Sequence, residues 1–335
     1  MSIRRTPVLA ASAAALLILA ACGNDNGNDG GDGDVEVGDE SDFVTDLTFG
    51  TGGTAGVYYP LGGEYAQIFE SNIDDITVDA ISTDASVYNI GQINQEAMQL
   101  GLAQSDTFIS AINAEDDFEG AEIDNVGWIA GLYPEAAHIV TVGTGIESVE
   151  DLAGANIAVG APGSGTRAVS DAILSAYGIE EGDYTAYEEE FDDSQSLLQD
   201  GNIDASIFVV GTPTGSLNEM AATSDVNLIG VDEDVAEQIA NDTYFETYSI
   251  EPDSYEFLEE EVLTLSVSAA VLASTTQVSE DLAYEMTAAI FEYAGDITLP
   301  QGDLITHDDA LLGIGDGPLH PGAERYYEEH GVEQP

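Results

Sequence analysis

The chain has no lysine and only four arginines, Arg4, Arg5, Arg167 and Arg325, set against 65 acidic residues, for a formal net charge of −61. A surface this negative repels nucleic acid. Without lysine there is no GxxxxGK[ST] phosphate loop. The single cysteine, Cys22, excludes an internal disulfide, and His138, His307, His320 and His330 lie in separate contexts without paired-ligand spacing, so no metal site or cofactor is expected. The longest apolar run, Val8 to Ala21, has about 14 residues, short of the roughly 20 that span a bilayer. What is abundant is acid, spread through a sequence that is still 44% hydrophobic, so the charge must coat a folded domain. That is the composition of a halophilic surface, since at molar salt the Debye length is about 3 Å and self-repulsion is largely screened.

The first 21 residues carry Arg4 and Arg5, the apolar run and small residues before Cys22, the layout of a secretory signal. Leu19-Ala20-Ala21-Cys22-Gly23 reads as a lipobox, with Cys22 as the lipidation site that ties the protein to the outer face of the cell membrane. An uncleaved anchor is the alternative, and the arginine pair leaves Sec and twin-arginine export both open. Residues 22–41 are nearly all Gly, Asn, Asp and Glu and cannot fold alone, so they are expected as a flexible tether, with the folded part starting near Asp42.

Beyond the tether, apolar strand-like runs alternate with helical patterns in the βαβ rhythm of a mostly parallel sheet. Strands are expected at Leu47 to Gly50, Ile76 to Ile81, Met98 to Ala103, Val126 to Leu132, His138 to Val142, Asn156 to Gly160, Ser206 to Val210 and Asn227 to Val231. Two glycine-rich strand-to-helix turns stand out. The first, Gly50-Thr51-Gly52-Gly53-Thr54-Ala55-Gly56, precedes a helix from Tyr58, and the second, Ala161-Pro162-Gly163-Ser164-Gly165-Thr166-Arg167, opens a helix running to Tyr177. Each reads either as a plain turn or as an anion cradle, in which converging N–H groups and the helix N-terminus hold a carboxylate or phosphate. With Arg4 and Arg5 removed, Arg167 and Arg325 are the remaining cations: Arg167 as a ligand contact or a surface ion pair, Arg325 as an ion pair among Glu324, Glu328 and Glu329.

The motif Gly50-Thr51-Gly52-Gly53-Thr54-Ala55-Gly56-Val57-Tyr58-Tyr59-Pro60-Leu61-Gly62 resembles the opening signature of the TAXI family, solute receptors of tripartite ATP-independent periplasmic (TRAP) transporters. Gln104-Ser105-Asp106, Leu132-Tyr133-Pro134-Glu135, Ser148-Val149-Glu150-Asp151-Leu152-Ala153-Gly154, Gly160-Ala161-Pro162-Gly163-Ser164-Gly165-Thr166 and Pro318-Leu319-His320-Pro321-Gly322 follow in the family's order, over roughly Leu47 to Gly331. The departure is in charge: the lysines and arginines common elsewhere in such proteins are mostly acidic here. The resemblance implies an α/β, two-lobed periplasmic-binding-protein (type II) fold. Its cleft would lie between lobes joined by two crossover strands, near His138 to Val142 and Leu263 to Leu272. Lobe one would comprise residues 42–138 and 265–335, and lobe two residues 139–264. The implied function is capture of a small carboxylate, such as glutamate, 2-oxoglutarate or a related dicarboxylate, for delivery to TRAP membrane subunits, small and large or fused, driven by an ion gradient. Expected ligand contacts are Thr51, Gly52, Gly53, Thr54, Tyr58, Gln104 and Ser105 from lobe one. From lobe two they are Pro162, Gly163, Ser164, Gly165, Thr166 and Arg167, with Gly211, Thr212 and Pro213 on a later loop. Tyr133 and His138 either reach the cleft or pack at the hinge.

Two other classes stay open at this level. A receptor feeding a signalling sensor would use the same cleft. A nucleotide-binding oxidoreductase would use Gly50, Gly52 and Ala55 as a dinucleotide fingerprint with Asp79 on the ribose, but export and Pro60 in the following helix oppose it. No catalytic residues are expected, and His320, between Leu319 and Pro321, reads as a turn or packing residue.

Overall fold

A computed structural model describes residues 35–143 and 145–334; the leader, Cys22 and most of the acidic tether lie outside the described residues. Strand β1 (Asp46–Gly50) leads through the first glycine loop into α1 (Tyr58–Asn72) and returns as β2 (Thr77–Ile81), followed by α2 (Ser86–Asn94), β3 (Leu100–Gln104) and α3 (Ser105–Ile112). Parallel pairing of β1 with β2 and β3 makes this the βαβ sheet the sequence predicts. A 17-residue strand, β4 (Val126–Val142), then leaves this half of the molecule.

A second series follows: β5 (Asn156–Ala158), α4 (Thr166–Ala176), β6 (Thr185–Tyr187), α5 (Phe191–Gln199), β7 (Ala205–Gly211), α6 (Gly215–Ala221), β8 (Val226–Ile229), α7 (Glu233–Asp242) and β9 (Glu246–Ile250). Strand β10 (Val262–Ser274) then returns, and α8 (Glu280–Glu292) and α9 (Pro321–His330) pack on the first half. The sheet order is β2-β1-β3-β10-β4-β7-β5-β6, with β8 on β4 and β9 on β10. The antiparallel pair β4 and β10 thus forms the two strands that serve both halves.

The two separate strands expected at Val126 to Leu132 and His138 to Val142 are one continuous strand that runs through Tyr133 and Pro134. Proline cannot donate to a ladder, but here it falls at a register shift against β10, where Ser268 faces Pro134 and Ala270 faces Gly131. From Glu135 onward β4 also pairs with β7. The change of partner therefore begins at Glu135, ahead of the expected His138.

One apolar cluster, including Phe49, Tyr65, Phe69, Leu100, Phe108 and Trp128, fills the first half and continues under Phe208 and Val210. A second, including Ile139, Ile157, Ile173, Leu174, Ile207 and Ile239, fills the other face of the second half. Asp106 and Glu135 are the two buried acidic residues among the described residues; the rest of the acid lies toward the surface.

Order begins before Asp42. Glu36 donates its N–H to the Asp124 carbonyl at 2.6 Å and accepts from the Thr275 hydroxyl, and Gly38 donates to the Thr275 carbonyl at 3.2 Å. A Cβ on Gly38 would overlap the Thr276 carbonyl, so this stretch of the expected tether is a fitted strap. It crosses the sheet at the beginning of β4 and the end of β10, opposite the glycine loops.

Candidate functional site

Three strand-to-helix junctions meet around one cavity. Gly52, Gly53, Gly56, Val57 and Tyr58 come from the first glycine loop, Thr83 to Ser86 from the turn after β2, and Gly165 and Thr166 from the second glycine loop. Gln104, Glu135, Glu190, Phe191 and Phe208 to Val210 complete a space of about 90 Å³, room for a small solute. The halves touch around it. The Tyr88 N–H donates to the Gly163 carbonyl at 3.2 Å, the Ser216 hydroxyl to the Ala55 carbonyl at 2.9 Å and the Thr54 hydroxyl to Asp192 Oδ2 at 3.4 Å.

Five helices begin here: α1 at Tyr58, α2 at Ser86, α3 behind its capping residue Gln104, α4 behind Gly165 and α5 behind Glu190. In none does the capping side chain close off the first N–H groups. Asp106 stands in the first turn of α3 and Asp192 and Asp193 in that of α5, whereas the first turns of α1, α2 and α4 carry no acid. Each N-terminus adds partial positive charge, typically 0.3–1 kcal/mol and up to about 2 kcal/mol for a partly buried anion. Among the described residues, no lysine, arginine or histidine lines the cavity.

At its floor lies Glu135, 2% exposed, whose Oε2 accepts from the Tyr58 hydroxyl at 2.6 Å. Burial pushes this carboxyl up to about 8, against a smaller opposing effect of the Tyr58 bond. The Tyr58 hydroxyl is raised further by its own burial and by Glu135. Asp106, also buried, is pushed up to about 7. At the rim, Glu190 is raised by partial burial and by the Asp84 carboxylate that faces it across the cleft.

Of the residues singled out in the sequence, the cavity gathers Gly52, Gly53, Tyr58, Gln104, Gly165 and Thr166. Others serve the fold. Thr51 donates to the Ile81 carbonyl at 2.6 Å, Ser105 accepts from the Ser268 N–H at 3.1 Å, and Ser164 closes its own turn on Ala161 at 3.0 Å. Arg167 lies outside the cavity, because Asp171 and Glu188 each hold its guanidinium at 2.8 Å. With Pro162 and Gly163 it lines a neighbouring space. Thr54 and Pro213 border another, Pro213 accepting from Gln301 Nε2 at 2.9 Å. Tyr133 packs against Gly211 and its buried hydroxyl has no partner among the described residues, while Thr212 lies beside Tyr255. His138 packs at the crossover, with Phe208 stacked on it and ring nitrogens 2.8 Å from the Ala136 carbonyl and the Tyr255 hydroxyl. His320 caps α9 through Gly322 at 3.1 Å, and Arg325 pairs with Glu280 and Asp281.

The sequence reading missed Glu135 and the Thr83 to Ser86 turn. Both left a signal. Glu135 is the lone acid in the run Val126 to Val142, and Ser82-Thr83-Asp84-Ala85-Ser86 repeats the small, hydroxyl-rich composition of the glycine loops.

A family profile described as NMT1-like matches residues 49–331, which takes in both glycine loops and both crossover strands. The chain belongs to the NMT1-like family. Among solved structures it resembles PhnD1 from Prochlorococcus marinus in complex with methylphosphonate, at 13% identity over 86% of this chain and 99% of that one, TM-score 0.52. A protein from Bordetella bronchiseptica matches at 15% identity over 85% and 82%, TM-score 0.51. The periplasmic aliphatic sulphonate binding protein SsuA from Escherichia coli aligns at 16% identity over 87% and 94%, TM-score 0.47. This NMT1-like chain has the two-lobed α/β fold of periplasmic solute-binding proteins, its halves joined by β4 and β10. Among the described residues no helix is long and apolar enough to cross a membrane, and no cluster of ligating side chains is arranged for a metal ion.

Proposed function

We propose that this protein is an extracytoplasmic receptor of TAXI type that captures a small carboxylate and delivers it to TRAP membrane subunits. The observation that carries the binding reading is the convergence of uncapped helix N-termini on a cavity without cationic side chains. Such a site holds an anion through N–H groups and helix dipoles, contacts that molar salt weakens little once the cleft excludes water. The delivery partner rests on the motif series from Gly50 to Gly62 through Pro318 to Gly322. We divide the mature domain into lobe one, residues 42–138 and 265–335, and lobe two, residues 139–264; strands β5 to β9 and helices α4 to α7 all fall in lobe two. Cys22 is the proposed lipid anchor, which places the receptor at the outer face of the cell membrane. A receptor that hands its solute-bound shape to a sensor is the second reading.

The test is a thermal-shift panel of amino acids, 2-oxoacids, dicarboxylates and nicotinamide nucleotides in multimolar salt. A carboxylate at 100 times its dissociation constant stabilises the fold by about 2.7 kcal/mol. A shift with nucleotides alone would favour the oxidoreductase.

A further inference from the structure

The cavity has an uneven charge layout. Helix N-termini supply positive potential on the walls, while the Glu135 carboxyl, paired with the Tyr58 hydroxyl, lines the same cavity. Tyr58 is its only hydrogen-bond partner among the described residues. Gln104, 4% exposed, lines the same cavity, and its buried Oε1 has no donor among the described residues. Glu135 and Gln104 thus bring a carboxyl and a carboxamide to one cavity, the first paired only with Tyr58 and the second with an unpaired carbonyl oxygen among the described residues. An ammonium group, with three N–H donors, pairs with a carboxylate and satisfies an unpaired carbonyl oxygen at the same time.

The rim argues against a second negative charge on the solute. Asp84 and Glu190 stand there together, Asp192 lies next to Thr54, and the nearest guanidinium, Arg167, is held by Asp171 and Glu188. Val57, Phe191, Phe208 and Val210 give the remaining wall an apolar character.

We propose that the solute is a zwitterionic amino acid with an uncharged side chain, its ammonium held by Glu135 and Gln104 and its carboxylate by the helix N-termini. The proposal rests on the solute-receptor reading and narrows it, excluding 2-oxoacids and dicarboxylates as preferred solutes. Closing the cleft over the ammonium ionises Glu135. The groups facing that carboxyl are Tyr58 from α1, Tyr133 from its own strand and Asp106 from α3. Since burial holds Glu135 neutral in the empty site at pH 7, binding releases a proton from it.

Titration calorimetry of the purified protein in multimolar NaCl tests this with matched pairs, valine against 3-methyl-2-oxobutanoate and glutamate against 2-oxoglutarate. Valine is expected to bind about tenfold or more tightly than its 2-oxo counterpart and than glutamate. Glu135→Gln should weaken valine binding roughly tenfold to a hundredfold. It should also lower the proton release read in buffers of different ionisation enthalpy. Equal or tighter binding of the 2-oxo member of each pair overturns the amino-acid assignment and leaves the carboxylate receptor standing. Tighter binding of glutamate than of valine overturns the uncharged side chain, and unchanged valine affinity in Glu135→Gln overturns the role of that carboxyl. Binding of neither member of either pair overturns both this proposal and the carboxylate reading. The wild-type pairs decide the matter if Glu135→Gln does not fold.

Discussion

Burial of Glu135 ties stability to pH in a direction opposite to that of an ordinary surface carboxylate. Its folded value, about 8, lies above its ordinary 4.5, so its contribution is full below pH 4.5 and is lost as pH rises through 8. Asp106, raised to about 7, has the same sign. His138 and His320, both lowered to about 4 by burial, have the other: their contribution is present above 6.5 and lost as pH falls through 4. In ligand-free protein, the unfolding midpoint of Glu135→Gln should rise relative to wild type between pH 5 and pH 9. A constant difference across that range would contradict the buried neutral acid. Arg167→Ala makes the complementary point. Its ion pairs are partly exposed and such pairs contribute about 0–1 kcal/mol, so solute affinity measured by calorimetry should stay within about twofold of wild type. A tenfold loss would return Arg167 to the ligand. Scarcity of cations in the sequence drew attention to Arg167. The deciding partner, Glu188, lies 21 residues away and becomes a neighbour only when β6 pairs with β5.

Local signals place most elements that shape the site, because glycine loops between a strand and a helix are written in adjacent residues. The helix expected from Tyr58 and the one running to Tyr177 correspond to α1 and α4, and their starts line the cavity. Long-range matters were less legible. The strand expected to end at Leu132 continues because β10 supplies a register shift at Pro134, and Glu135 reads as one acid among many until β4 buries it. The strap at Glu36 to Gly38 was hidden in a composition that normally stays unfolded, since its fit depends on the carbonyls of Asp124 and Thr275. Gly38→Ala should free this strap with little change in the global unfolding midpoint. Limited proteolysis should then cut the chain near residues 35–42 several times faster than wild type, and an unchanged cleavage rate would show that the contacts do not hold the strap down.

For the whole molecule, the acidic coat sets the conditions under which the fold exists. With 65 acidic side chains, four arginines and two buried acids, repulsion acts over the surface of both halves. The Debye length grows from about 3 Å at 1 M to about 30 Å at 0.01 M salt, so dialysis should unfold the protein cooperatively, as followed by circular dichroism. Retained structure in dilute buffer would show that the core alone outweighs the repulsion. Function at this scale depends on the two halves meeting around the solute. A Cβ on Gly165 would collide with the Gln104 side chain across the cleft, while each half would keep its own core. The most direct measurement is therefore the calorimetric affinity of Gly165→Leu beside wild type, for the tightest carboxylate found, with ligand-free unfolding midpoints compared. The account predicts equal midpoints and an affinity lower by about tenfold or more, equivalent to at least about 1.4 kcal/mol. Equal affinity in a folded variant would mean that the solute is not held between these loops.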